Sequence, residues 1–206
     1  MPEIDIREAV QEEQLTTEIL DLFPLQGKWT EEDYFKLPET NRIIELSEGR
    51  IIITPAPTTQ HQMILSNIFL LIGSYVSSKN LGKVVTSPAD VRLWEGTIRQ
   101  PDIVFMSNEH RDRITERYFG VPDLVMEILS ESTAREDRTK KFYEYAKAGV
   151  LEYWMIDPEA KTVEVYFLRS GSYIPFGKWR MGEVARSSLL EGFAVNVSDI
   201  INIGSI

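Results

Sequence analysis

The sequence predicts an α/β fold in which a mixed central sheet is flanked by helices. Hydrophobic side chains make up 43% of the 206 residues, which is enough to bury one sizeable core. The expected elements follow the order helix, hairpin, long helix, strands, helix and hairpin, which favours a mixed sheet over a doubly wound parallel one. No repeat or low-complexity segment divides the chain. We therefore expect an N-terminal arm over residues 1–28 and a single domain over residues 29–206.

Turn and capping residues place the individual elements along the chain. Thr133 and Glu136 have the spacing of a capping box, and Gly149 is typical of a helix C-terminus. The long second helix is apolar on most faces, so we expect it to be largely buried. The predicted elements are a helix from Thr30 to Leu37, a hairpin over 42–53, a helix from Thr58 or Thr59 to about Lys79, strands over 83–86, 91–94, 98–106 and 123–129, a helix over 133–148, and strands over 151–156 and 162–168.

Composition and charge exclude several classes of protein. The absence of cysteine excludes disulfides and thiolate metal sites. The N-terminus lacks the basic and apolar regions of a signal peptide, and the most apolar stretch, residues 63–76, is too short to span a membrane, so we expect a cytoplasmic location. The formal net charge of −10 argues against tight, indiscriminate DNA binding, which usually needs a basic face. It leaves open an acidic site that approaches phosphate through a bound cation.

Two acidic residues stand out because they interrupt or adjoin apolar strands. Glu127 lies inside the apolar run 124–129, where a carboxylate is costly unless it is paired, protonated or bound to a cation. Asp102 follows Pro101 at the entrance of another apolar strand. Carboxylates on neighbouring strands can meet at one edge of a sheet, and Mg²⁺ binds through one or two carboxylates and waters. The pair predicts a metal site, whereas each residue alone is also explained by a strand end, a turn or an arginine partner.

Lys141 is the candidate cationic group of the same site. It lies on the helix that follows the Glu127 strand, at the margin of the inward side that Tyr145 marks. Its long stem can run along the sheet toward the two carboxylates. The alternative is a surface ion pair with Asp137, four residues earlier. Lys140 is the weaker candidate because its direction lies further from Tyr145.

The remaining candidates carry less specific signals. Glu45 is again a charge in an apolar run, and it can add a metal ligand, position a water or pair with an arginine. His61 lies in the first turn of the long helix, where a histidine is more often satisfied in the core or at the surface than catalytic. His110 lies in a charged segment that we expect to be solvated. With two histidines and no cysteine, a zinc site has little support.

An ordered set of motifs resembles the Uma2 family, also called DUF820, a family of restriction-endonuclease-like proteins. The resemblance extends from about Trp29 to Leu168, and its specificity comes from the order of the motifs. The motifs are Ile44-Glu45-Leu46 with Glu48-Gly49, His61-Gln62, Gln100-Pro101-Asp102, the segment 121–130, Ser132-Thr133 with Asp137 and Lys141, the segment 149–154, and Asp157-Pro158.

The resemblance implies the restriction endonuclease-like PD-(D/E)XK fold and its catalytic motif. Asp102 corresponds to the first aspartate of the motif and Glu127 to its second acid. The motif places lysine two positions after the second acid, but this chain has Leu129 there. The resemblance implies that the motif lysine of this family lies on the following helix instead, which points to Lys141.

The function that follows is a metal-dependent endonuclease acting on nucleic acid, with DNA the first expectation. Asp102, Glu127 and the carbonyl of Ile128 would hold Mg²⁺ or Mn²⁺, and Lys141 would orient the attacking water. Glu45 is a further catalytic candidate, and Gln100 and His61 are the substrate-binding candidates. Two alternatives stay open: an inactive nuclease-fold interaction module, favoured by the acidic charge and Leu129, and a dimeric structural protein. A homodimer is expected, with the N-terminal arm and the apolar tail over 199–203 as its elements.

Overall fold

Three β-sheets and the helices around them form the part of the chain that the computed structural model describes, residues 24–38 and 42–203. The smallest sheet has two antiparallel strands near the C-terminus. A four-stranded antiparallel sheet has the order β2-β1-β5-β4, and a six-stranded mixed sheet has the order β10-β9-β8-β7-β6-β3. The elements are α1 (Glu31–Tyr34), β1 (Ile43–Ser47), β2 (Arg50–Thr54), α2 (Thr59–Ser78), β3 (Gly82–Thr86), β4 (Val91–Trp94), β5 (Thr97–Arg99), β6 (Ile103–Ser107), a 3₁₀ helix (Asn108–Arg113), β7 (Leu124–Ile128), α3 (Ala134–Glu136), a π-helical turn (Asp137–Lys141), α4 (Phe142–Ala148), β8 (Glu152–Asp157), β9 (Thr162–Arg169), β10 (Ser172–Arg180), β11 (Val184–Arg186), β12 (Ala194–Asn196) and α5 (Val197–Ile201).

The six-stranded sheet is packed on both faces, which confirms the predicted mixed sheet flanked by helices. The strand pair β7–β8 is parallel, and the other pairs of this sheet are antiparallel. Alternate residues of a strand point to opposite faces. Leu124, Met126 and Ile128 therefore join the core under α2, while Val125 joins the core under α4. Glu127 shares the parity of Val125, so its side chain lies on the α4 face.

Local sequence signals reproduce several boundaries. The hairpin β1–β2 turns through Glu48 and Gly49, which both have positive φ angles of 53° and 70°, as a two-residue hairpin turn requires. Thr58 caps α2 by accepting a hydrogen bond from the amide of His61. Gly149 ends α4 in the left-handed conformation with a φ of 97°.

The prediction of one strand over 98–106 is wrong, because the structure divides this segment between the four-stranded and the six-stranded sheet. In β5, Ile98 pairs with Leu46 of β1, whereas Ile103 of β6 pairs with Met126 of β7. Pro101 lies between them and has no amide hydrogen with which to continue a ladder. The division places Asp102 at the start of β6 and at the junction of the two sheets.

Two expectations about the helices also need correction. The long helix α2 buries one face, but Leu70 is 62% exposed, so the helix is not largely buried. The capping box at Thr133 does not form, because Thr133 exchanges hydrogen bonds with Ser130 and Glu136 binds Arg99 instead. The helix then widens into the π-helical turn before α4.

The two ends of the chain differ in how far the structure describes them. The predicted arm over residues 1–28 lies outside the described residues except for 24–28. The apolar tail forms α5, whose Ile200 and Ile201 are buried in the core with α2, so this tail packs within the chain. No helix in residues 24–38 and 42–203 is long and apolar enough to cross a membrane.

Candidate active site

The register of β6 and β7 brings the two predicted carboxylates to one edge of the sheet. Ile103 lies opposite Met126 in this antiparallel pair, so the next register position places Asp102 opposite Glu127. Both side chains are buried, with 5% and 4% of their residue surfaces exposed. The site therefore lies at the carboxyl end of β7, where β6 begins.

On the α4 face, Glu127 is bound by one ammonium group and one hydroxyl group. Its Oε1 accepts hydrogen bonds from Lys141 Nζ at 3.0 Å and from the Tyr145 hydroxyl at 2.7 Å. Burial raises the pKa of Glu127 to about 8, although the charge of Lys141 opposes the shift. At neutral pH this buried carboxyl therefore favours its protonated form, and a further cation beside it would favour the ionised form.

Lys141 reaches the site from the π-helical turn and meets three carboxylates there. Its Nζ lies 3.0 Å from Glu127 Oε1, 3.3 Å from Glu45 Oε1 and 3.3 Å from Asp137 Oδ1. Burial lowers the pKa of Lys141, but Glu127, Glu45 and Asp137 raise it by more, so it stays well above its usual value. Lys141 is therefore a fixed ammonium group. Single π-helical turns inside α-helices occur frequently at functional sites.

Asp102 is oriented by the main chain of β7 and by the first turn of α2. Its Oδ2 accepts a hydrogen bond from the amide of Ile128 at 2.7 Å, and the ring Nε2 of His61 lies 3.2 Å from the same oxygen. Burial lowers the pKa of the His61 ring, but the hydrogen bond and charge of Asp102, the Ile128 backbone and the charge of Asp137 together raise it by more, so the net shift is upward.

These groups line one cavity of about 100 Å³. Its rim comes from the end of β2, the start of α2 and the segment between β7 and α3. The polar members of its lining are Thr54, Thr58, His61, Gln100, Asp102, Glu127, Ser130, Ser132, Thr133, Asp137 and Lys141. The structure thus brings the proposed motif residues and several hydroxyl groups around one small space.

A buried arginine supports this cavity from the side of the four-stranded sheet. Arg99 of β5 is fully buried, and it binds Glu45 at 2.9 Å, Glu144 at 2.6 Å and Glu136 at 3.1 Å. Of the options left open for Glu45, the structure shows the arginine pairing, together with an ion pair to Lys141. Sequence reasoning missed Arg99, although it carries the same signal as Glu127, a charge inside a buried strand.

The other candidates differ in how they relate to the cavity. Gln100 lines it, but its side chain accepts from the Ile44 amide at 3.3 Å and donates to Asp90 at 2.8 Å. Lys140 points away and pairs with exposed Glu48. His110 is not simply solvated, because its Nδ1 lies 2.6 Å from buried Asp123 at the other end of β7.

The cavity offers the donor atoms that a hard divalent cation prefers, but its side chains do not form a complete set of ligands. Asp102 and Glu127 offer carboxylate oxygens, which such cations prefer. Asp137 Oδ1 is buried and has no hydrogen-bond partner within the described residues beyond its ion pair with Lys141. Burial raises the pKa of Asp137 as it raises that of Glu127, so a cation in the cavity would favour the ionised forms of both carboxyls. Across residues 24–38 and 42–203, no three His, Cys, Asp or Glu side chains converge into a ready-made metal site, so the fit relies on two carboxylates with main-chain and water oxygens.

Comparisons with known proteins address the family and the fold of the chain. A family model described as "Uma2: Putative restriction endonuclease" matches residues 31–198. The chain is also similar to a crystal structure described as "a putative nuclease belonging to DUF820" from Anabaena variabilis ATCC 29413. That likeness has 24% sequence identity and a TM-score of 0.71, and it covers 87% of this chain and 98% of that chain, which shows a shared fold. No curated protein matches the chain.

Proposed function

The chain belongs to the Uma2 family, and from this premise we propose that it is a divalent-metal-dependent nuclease that hydrolyses phosphodiester bonds of nucleic acid. One observation carries the proposal: Asp102, Glu127 and Lys141 line the same buried cavity although they come from two strands and a helix. Lys141 supports the proposal because it brings an ammonium group to within 3.0 Å of Glu127, which Leu129 cannot supply. We propose DNA as the first substrate to test and Mg²⁺ or Mn²⁺ as the cation.

Each group of cavity residues has its own role in the proposed hydrolysis. A cation bound by Asp102, Glu127 and the main-chain carbonyl of Ile128 would supply Lewis-acid stabilisation of the phosphoryl oxygens. Lys141, held as an ammonium, stabilises negative charge that develops on phosphate and orients the attacking water. The hydroxyls of Ser130, Ser132 and Thr133 are neutral donors within reach of a phosphate in the cavity. Neutral donors of this kind suit a protein of net charge −10.

Cleavage assays with matched variants test this proposal. The full chain is incubated with duplex DNA, single-stranded DNA and RNA in the presence of Mg²⁺, Mn²⁺ or a chelator. We expect cleavage that needs the cation and is lost in Asp102→Asn and Lys141→Met. Lys140→Met is the matched control, because it removes the neighbouring lysine and leaves the cavity intact. Cleavage by Asp102→Asn at the wild-type rate would contradict the mechanism.

The second candidate is a nuclease-fold module without activity. The observation in its favour is that the polar groups of the site largely satisfy one another: Lys141 contacts three carboxylates, and Tyr145 binds Glu127. It predicts no cleavage of any nucleic acid and no cation dependence, together with a folded chain. The homodimer and the cytoplasmic location stay predictions from the sequence, and size measurements in solution test the former.

A further inference from the structure

The ring of His61 lies against the carboxylate that the proposed function assigns to the cation. Its Nε2 is 3.2 Å from Asp102 Oδ2, and the two side chains are 12% and 7% exposed. The other ring nitrogen, Nδ1, is buried and has no hydrogen-bond partner within the described part of the chain. Because the unpartnered nitrogen is Nδ1, the case for a ligand rests on Nε2, which lies beside Asp102 at the cavity that both residues line.

The distance between His61 and Asp102 suits two ligands of one ion. Neighbouring ligands of an octahedral ion with bonds of about 2.1 Å stand at right angles and are about 3 Å apart. The observed 3.2 Å separation is close to this value. The separation therefore allows both atoms to bind one cation when the ring proton is on Nδ1 and the lone pair of Nε2 is free.

The identity of the donor atom has a consequence for the choice of metal. Mg²⁺ prefers oxygen ligands and an octahedral shell with several waters. An imidazole nitrogen favours first-row transition metals, so a site with one histidine discriminates between Mn²⁺ and Mg²⁺, whereas carboxylates and carbonyls accept both.

We propose that His61 Nε2 is a ligand of the cation at Asp102 and biases the site toward Mn²⁺ over Mg²⁺. The inference rests on the proposed function, because it needs a cation at Asp102. It adds a nitrogen to the oxygens of Asp102, Glu127 and Ile128. It also changes the role expected for His61 from substrate binding to metal selection.

Cation binding by the full chain tests this without any cleavage assay. Mn²⁺ is titrated at one neutral pH and followed by the electron paramagnetic resonance signal of the free ion, and Mg²⁺ is measured by its competition with Mn²⁺. In His61→Gln we expect Mn²⁺ affinity to fall by about tenfold or more, while Mg²⁺ affinity changes by less than about twofold. His110→Gln is the matched control, since it removes the other histidine, which lies at the opposite end of β7.

A spectroscopic measurement on the wild-type chain avoids any effect of the variant on folding. Pulsed electron paramagnetic resonance of the Mn²⁺-loaded protein detects a directly bound nitrogen, and labelled histidine assigns it. A histidine coupling in wild type and in His110→Gln supports the inference. Equal loss of both affinities in His61→Gln, or an absent nitrogen coupling, overturns it. If the wild type binds no cation, or if Asp102→Asn binds it as tightly as the wild type, the proposed function fails as well. These outcomes distinguish a failure of the proposed function from a failure of the His61 inference alone.

Discussion

Two buried glutamates on neighbouring parallel strands differ completely in their surroundings. Glu152 of β8 is fully buried and accepts hydrogen bonds from the indole of Trp154, the hydroxyl of Ser187, the amide and hydroxyl of Ser188 and the amide of Leu189. These five donors are all neutral. Glu127 of β7 has one hydroxyl and one ammonium on a single oxygen and lines a cavity.

The contrast shows that a charge inside an apolar strand does not by itself identify a functional site. Glu152 is satisfied by five donors from its own chain, and four of them tie the segment between β11 and β12 to the sheet, so it has the character of a structural anchor. Burial raises the pKa of Glu127, and its side chain lines a cavity that a ligand can enter. The two residues should therefore respond in opposite ways to substitution.

The largest expected effect is on catalysis at Glu127. In Glu127→Gln we expect cation-dependent cleavage to fall by about 10³-fold, because the amide keeps the volume but loses the charge that binds the cation. The rate is measured on folded protein, as checked by circular dichroism. Glu152→Gln is the matched variant on the next strand, and a similar fall in its rate per folded molecule would remove the distinction between the two acids.

The next effect is on stability at Glu152. Glu152→Ala leaves several buried donors without an acceptor, and we expect the free energy of unfolding to fall by about 4 kcal/mol. Urea unfolding measures it. A loss of less than about 1 kcal/mol would show that water replaces the carboxylate and that Glu152 is no anchor.

A pH-dependent effect of intermediate size is expected at Glu45. Burial raises the pKa of Glu45, but Lys141 and Arg99 lower it by more, from 4.5 to about 2. Because the folded pKa is depressed, the stabilisation is fully present above about pH 4.5 and disappears as the pH falls toward 2. We expect Glu45→Gln to lose about 3 kcal/mol at neutral pH. Urea unfolding at a series of pH values should show this difference shrinking in acid, and a constant difference would contradict it.

The smallest effect is expected at the neighbouring lysine. Lys140 pairs with Glu48, which is 75% exposed, and exposed ion pairs contribute about 0.5 kcal/mol or less. Lys140→Met should therefore leave both the free energy of unfolding and the cleavage rate nearly unchanged. Lys141→Met in the same assays sharpens the comparison, since only that lysine contacts Glu127. Equal effects of the two substitutions would show that the π-helical turn does not select between them.

The sequence predicted the elements whose signals are local. The hairpin turn at Glu48 and Gly49, the cap of α2 at Thr58 and the end of α4 at Gly149 each depend on a few adjacent residues. Long-range pairing decided the rest. The segment 98–106 has strand character throughout, yet Ile98 and Ile103 find their partners in different sheets. Thr133 and Glu136 have capping-box spacing, but binding of Glu136 to Arg99 takes precedence.

For the site, the sequence by itself identified Asp102, Glu127 and Lys141 as charges in or beside apolar segments. Only the tertiary structure decided their partners: Tyr145 on Glu127, and His61 and the Ile128 amide on Asp102. A charge in an apolar run is visible in the sequence because burial without compensation is costly. The identity of the compensating group depends on which distant segments meet there, and that is settled by the packing of α2 and α4 on opposite faces of the sheet.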